Sequence, residues 1–208
     1  MHKGIAATWA VVAAATAAVV TIAISATAAT PPQDAPPAMA VAAAVPDDQQ
    51  PRYTSSGELI PPTGYRDWVF LSSGYGMTYS ASRSDHKMFT NVFVAPWAYR
   101  SFMQSGKWPD RTLFVLEARD SLGKGSIVAG GQFQGDTMGL DIEVKDEAHL
   151  PDKWAYFPYD GKAPSVRAQP KENCWQCHED HAAVEHSFVQ FYPTLQPVAK
   201  KFGTWRDR

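Results

Sequence analysis

Cys174 and Cys177 are the only thiols in 208 residues, and His178 follows the second of them directly. The stretch Cys174-Trp175-Gln176-Cys177-His178 reads C-x-x-C-H, the attachment signature of c-type haem. Thiols three positions apart can each form a thioether to one haem vinyl group, and the adjacent imidazole can bind the iron. A chain that does this must fold around a large flat apolar ligand. With no other cysteine, neither a disulfide framework nor a four-thiolate metal site can form.

Three other readings of the motif compete. A redox dithiol belongs at the start of a helix after a strand in a βαβ setting. Residues 163–173 upstream are polar and Pro-containing, with no buried-strand pattern. A zinc site needs a second ligand pair at regular spacing. His181 and His186 lie downstream, but C-x2-C-x3-H-x4-H is cramped for a finger. Chance is the third reading, and the amino terminus argues against it. Lys3 precedes a run over residues 5–24 made almost wholly of Ala, Val, Ile and Thr, and Ala26-Thr27-Ala28 follows in small-x-small order. This is the pattern of a secretory signal cleaved after Ala28, and it predicts a periplasmic protein. The run is also long enough for an uncleaved membrane anchor. Covalent haem attachment takes place on the far side of a bacterial inner membrane, so the two independent features agree.

Removing residues 1–28 takes away one lysine and no acid, leaving 18 basic against 21 acidic residues. There is no basic run, so nucleic acid is not a partner. Residues 29–51 are rich in Pro and Ala and lack aromatic residues, the composition of a flexible tether. The folded unit is then residues 52–205, one domain by length. It holds every Trp except Trp9, and all eight Tyr.

Within it, residues 67–71 read as a strand followed by a Ser/Gly loop to residue 84, and residues 91–94 as a short strand. Pro96 opens a helix that Gly106 closes, with Tyr99, Phe102 and Met103 on its apolar face. Residues 112–119 form a strand with Phe114, Leu116 and Ala118 on one face. Residues 121–131 read as a Gly-rich loop. Residues 139–145 form a strand with Leu140, Ile142 and Val144 on one face and Asp141, Glu143 and Lys145 on the other. Residues 154–159 are an aromatic strand, and residues 179–189 read as a helix ended by Pro193. The fold class is α+β, a mainly antiparallel sheet with short flanking helices and a single haem-binding domain.

Several short segments occur in order around the motif: Tyr65-Arg66-Asp67-Trp68, Asn91-Val92-Phe93-Val94 with Pro96 and Tyr99, Gly106-Lys107-Trp108-Pro109-Asp110, Val115-Leu116-Glu117, Gly139-Leu140-Asp141, Trp154-Ala155-Tyr156-Phe157 and Phe191-Tyr192-Pro193-Thr194-Leu195. This ordered set resembles the cytochrome P-460 family, which includes the cytochromes c′-beta, over residues 57–198. The resemblance implies a homodimer with one haem per chain. The iron has a histidine on one side, here His178, and an open position on the other. Members that oxidise hydroxylamine carry a lysine cross-linked to the haem, and the matching position holds Leu116, which cannot form that bond. Lys107 and Lys124 are nearby in sequence. The oxidising members also carry a distal carboxylate, matched here by Asp141, one methylene shorter. The resemblance is therefore to the uncross-linked branch, which binds nitric oxide and related small ligands.

Read from the residues, Phe114 and Leu116 make the distal pocket apolar, which favours uncharged diatomic ligands. Asp141 is the candidate general base if it reaches the ligand; otherwise it is a solvated strand acid. His181 reads as a surface or supporting residue, and His86, His149 and His186 as structural or solvated. Among Met77, Met88, Met103 and Met138, Met138 borders the distal strand and is the candidate sixth ligand. Three functions follow: a haem c protein that binds small nitrogen oxides, a hydroxylamine-oxidising enzyme with Asp141 as base, and a six-coordinate electron carrier. The last two call on a redox partner protein.

Overall fold

The structure, a computed structural model, describes residues 45–78 and 87–208. The signal-peptide reading, most of the tether, the end of the Ser/Gly loop and His86 lie outside the described residues. Five strands, β1 (Val69–Tyr75), β2 (Phe89–Val94), β3 (Leu113–Leu122), β4 (Phe133–Lys145) and β5 (Trp154–Tyr159), form one sheet in sequence order, every neighbour antiparallel. Among the described residues three short α-helices accompany it: α1 (Pro96–Ser105), α2 (Cys174–His181) and α3 (Gln196–Lys201). The α+β reading holds. Among the described residues no helix is long and apolar enough to cross a membrane.

Register fixes which side chains share a face. Val94, Phe114, Glu143 and Tyr156 form one cross-strand row, and Val92, Leu116, Asp141 and Pro158 form the next. A bulge at Leu71 brings Ser72 opposite Val92 and Gly74 opposite Thr90, extending this face into β1. Phe93, Val115, Ile142 and Phe157 form a row on the reverse face. That face holds a buried carboxylate, Glu117, which accepts from Tyr65 Oη at 2.8 Å and from Arg66. Burial works against its charge, and the Tyr65 and Arg66 donors outweigh it, so its pKa lies below the ordinary carboxylate value.

Towards its end both faces of β4 are covered: Glu143 and Lys145 are buried as fully as Leu140, whereas Asp141, on the same face, is exposed. The strands are also longer than their hydrophobic cores suggest. The Ser72–Tyr75 run expected to be loop is the second half of β1, β3 runs on to Leu122 into the region expected to be Gly-rich loop, and β4 begins at Phe133, six residues before the expected start. The ladder supplies the hydrogen bonds that let polar residues continue a strand.

α1 begins at Pro96 and ends before Gly106, which takes the left-handed conformation at φ 67°. Its buried face is Ala98 and Phe102; Met103 is 39% exposed and is not a core residue. Phe102 stacks on Trp108 at 4.1 Å, and Trp108 meets Phe114 edge-on at 4.6 Å. The expected helix over residues 179–189 is displaced. α2 starts at Cys174 itself and stops at His181, after which Ala182 is extended. Residues of the expected tether also lie on the domain: Trp97 Nε1 donates to the Gln49 carbonyl at 2.9 Å, and Arg111 Nη2 donates to the Pro51 carbonyl at 2.8 Å.

Candidate functional site

The site grows from the sheet face that carries Val92 and Leu116. Above it lies a cavity of about 310 Å³. Its sheet wall includes Val92, Leu116, Asp141, Glu143 and Tyr156, and its other wall is Cys174, Cys177 and His178 of α2 with Phe188, Phe191 and Tyr192. A larger depression of about 740 Å³ beside Tyr53, Arg111 and His149 contains none of the signature residues. The smaller cavity is the site, because both thiols and the imidazole open into it.

His178 is held from several sides. Its ring lies 4.2 Å from Tyr156 and 4.3 Å from Phe188, and its Nδ1 donates to the His186 carbonyl at 2.7 Å. Burial among these rings pushes the imidazole pKa down to about 4, so it is neutral at physiological pH. A neutral imidazole with Nδ1–H tied to a carbonyl presents Nε2 as a lone pair, the form a metal needs. The carbonyl is itself fixed. Glu185, at φ 50°, turns the chain, and its carboxylate takes an ion pair from Lys145 Nζ at 2.9 Å while its carbonyl accepts from Arg206. Ser187 Oγ accepts from Trp108 Nε1 at 2.6 Å.

The cysteines are unpaired and lie at i and i+3 on α2. Burial, and then the Asp141 and Glu143 charges, raise the Cys174 pKa, so it is a thiol. Two thiols one helical turn apart, an imidazole with Nε2 free, and aromatic and aliphatic walls are the donor set and surroundings that a haem requires; the residues present fit the group.

A family model for cytochrome P460 matches residues 62–189, a span that takes in all five strands and the whole Cys174–His178 motif. The chain belongs to the cytochrome P460 family. It is accordingly a haem protein, and its C-x-x-C-H segment lies on the cavity wall. No curated protein matches the chain.

Within this cytochrome P460 site, Leu116 and Asp141 face each other across β3 and β4, and both line the cavity. Phe114 does not line it. One row further along on the same face, it is fully buried between Trp108 and Trp154, beside the cavity rather than in it. Asp141 stands at a junction, lining both the haem cavity and a neighbouring groove with Met88, Met138 and Tyr159. Asp141 as a residue is exposed, but the packing around its carboxyl removes enough water to raise its pKa. No lysine lines the cavity among the described residues; Lys107 and Lys124 are exposed elsewhere. Met138 lies in the groove, whereas Met77 lines the cavity. His181 is exposed at the end of α2, and His149 pairs with Asp146 at 2.9 Å.

Sequence reasoning did not single out Tyr156, Phe188 or the His186 carbonyl as site groups. The first two sit in aromatic-rich segments that read equally well as core. The third is a backbone atom with no signal in residue type. Glu143 was visible as an acid on the Asp141 face, and strand alternation alone pointed to it.

Proposed function

We propose that this member of the cytochrome P460 family is an exported mono-haem protein that binds small nitrogen oxides such as nitric oxide. Cys174 and Cys177 would hold the haem by thioether bonds, and His178 would bind its iron. The observation that carries the reading is the cavity itself: an anchored imidazole and two thiols on one wall, and Val92 and Leu116 on the other. Haem iron with a single imidazole supplies a coordination position for a small ligand. The chain's residues decide which ligand enters. Leu116 and Val92 offer no hydrogen bond and no charge, which favours an uncharged diatomic over a protonated amine. Tyr156 and Phe188 clamp the His178 ring, so its Nε2 direction is fixed before any ligand arrives. Export is supported by the apolar run over residues 5–24 and by Ala26-Thr27-Ala28.

A second reading, hydroxylamine oxidation with Asp141 as base, is favoured by the two acids on the cavity wall, Asp141 and Glu143. Leu116 at the position of the cross-linking lysine weighs against it.

The test is optical absorption of the purified exported protein, ferric and reduced, before and after nitric oxide. A high-spin spectrum that shifts on adding nitric oxide is expected. A low-spin spectrum unchanged by nitric oxide overturns the reading and directs attention to Met77 as a sixth ligand. Turnover of hydroxylamine with an electron acceptor, lost in Asp141→Ala, moves the assignment to the oxidising enzyme.

A further inference from the structure

We propose that Glu143 is the proton-holding residue of the cavity and that it exchanges its proton with solvent by way of Asp141. The inference rests on the haem reading only in assigning what the proton responds to; the proton store itself belongs to the chain.

Glu143 is 6% exposed, lines the cavity, and its Oε2 has no hydrogen-bond partner. Across β3 and β5 it faces Phe114 and Tyr156. A carboxylate buried without donors or a cation is costly, whereas a neutral carboxyl in the same place is not. No cation answers it among the described residues. Lys145, the next residue on the same face, turns its ammonium to the Trp108 carbonyl at 2.7 Å and to Glu185 at 2.9 Å. The remaining titratable groups around the cavity are Asp141 from β4, Tyr156 from β5, Cys174, Cys177 and His178 from α2, and Tyr192; none is a cation at neutral pH in this setting. Burial, followed by the Asp141 charge, pushes the Glu143 pKa up to about 8, in accord with the geometry.

Asp141 supplies the route. It lies two residues away on the same face, a spacing of about 6–7 Å along a strand, which one bridging water spans. It lines both the cavity and the outer groove of about 450 Å³. In the exchange, the proton leaves the Glu143 carboxyl for the bridging water and Asp141, and passes from Asp141 to water in the groove. Glu143 is left as a carboxylate and no electron moves. The balance follows the charge of the cavity. An added electron strengthens the hold of Glu143 on its proton, and a lost electron weakens it.

The holoprotein tests this by redox titration between about pH 6 and 10, a range that brackets the Glu143 transition, in wild type, Glu143→Gln and Asp141→Asn. In wild type the midpoint potential is expected to fall as pH rises through the Glu143 transition. Glu143→Gln is expected to be flat there. Asp141→Asn is expected to move the fall to lower pH and to slow the spectral relaxation after a pH jump at least tenfold. An unchanged slope in Glu143→Gln overturns the proton store, and an unchanged relaxation rate in Asp141→Asn overturns the route. Infrared spectra of the wild-type protein need neither variant nor haem. They are expected to show a protonated-carboxyl band at neutral pH that disappears as pH is raised, and its absence overturns the proposal. A protein without a haem spectrum that keeps this band fails the haem reading alone.

Discussion

Glu143 makes the folded protein hold a proton that the unfolded chain releases. Its carboxyl has an ordinary pKa of 4.5 when unfolded, against about 8 when buried. Below the lower value both states are protonated and stability does not depend on this group. Between the two values the folded state binds the extra proton, so stability falls as pH rises; above the upper value the fall levels off. The slope reaches at most ~1.4 kcal/mol per pH unit. Glu143→Gln is expected to remove it, so that chemical denaturation at pH 5 and pH 9 shows the variant gaining on wild type as pH rises. A constant difference would mean that Glu143 is ionised in the fold. A second residue-scale test concerns Ser187, whose hydroxyl accepts from the buried Trp108 indole. Ser187→Ala strands that donor and is expected to cost about 1–3 kcal/mol, read as a lowered denaturation midpoint. Because Ser187 follows the residue whose carbonyl holds His178, the haem spectrum is expected to shift as well.

At the scale of elements, α1 and the chain end are locked together by one glycine. Gly106 sits at φ 67°, and a Cβ there meets Phe202 Cβ at 2.7 Å; its carbonyl also accepts from Thr204 Oγ1 at 2.7 Å. Gly106→Ala is expected to lose about 1–2 kcal/mol from the left-handed backbone alone, and more from the contact, measured as a drop in urea midpoint with unchanged slope. This end of α1 was legible in the sequence because Pro96 and Gly106 are local signals that no packing overrides. β5 was equally legible, since its aromatic residues fill both faces. β4 was legible in alternation but not in meaning. Asp141, Glu143 and Lys145 read as the wet side of a strand, and only register shows that the Glu143 row faces Phe114 and Tyr156 under the cavity. The end of α2 was not legible. The polar run after His178 continues a helical pattern, but Gln190 Nε2 donates to the His181 carbonyl and Gln190 Oε1 accepts from the Ala183 amide, which turns the chain there. The motif itself was the strongest signal because it is chemistry confined to five residues; the aromatic rings around His178 come from β5 and residue 188, which only the fold brings together.

Across the whole molecule, the haem cavity joins its most and least secure parts. The sheet wall is backed by a fully buried core, with Phe114, Val115 and Ile142 at 0% exposure, whereas α2 contributes no buried residue at all. A helix of eight residues has little stability of its own. It is held by the His178 bond to the His186 carbonyl, by the stacking of Trp175 on His186 at 4.6 Å and, in the proposed function, by the ligand it carries. In that reading the thioethers would do more than retain haem: they would tether this helix to a ligand lodged in the cavity whose other wall is the rigid sheet. Replacing both Cys174 and Cys177 by Ala is expected to leave β1 to β5 intact, so the protein still folds. The pigment becomes extractable by acidified organic solvent, and the amides of α2 exchange with deuterium far faster than those of β3 and β4. Complete loss of a ligand present at 100 times its dissociation constant removes about 2.7 kcal/mol, which in a chain of this size lowers the thermal midpoint by roughly 5–10 °C. Pigment that remains inextricable in the double variant would mean that haem is fixed by another bond, and slow exchange in α2 would mean that the helix stands without it.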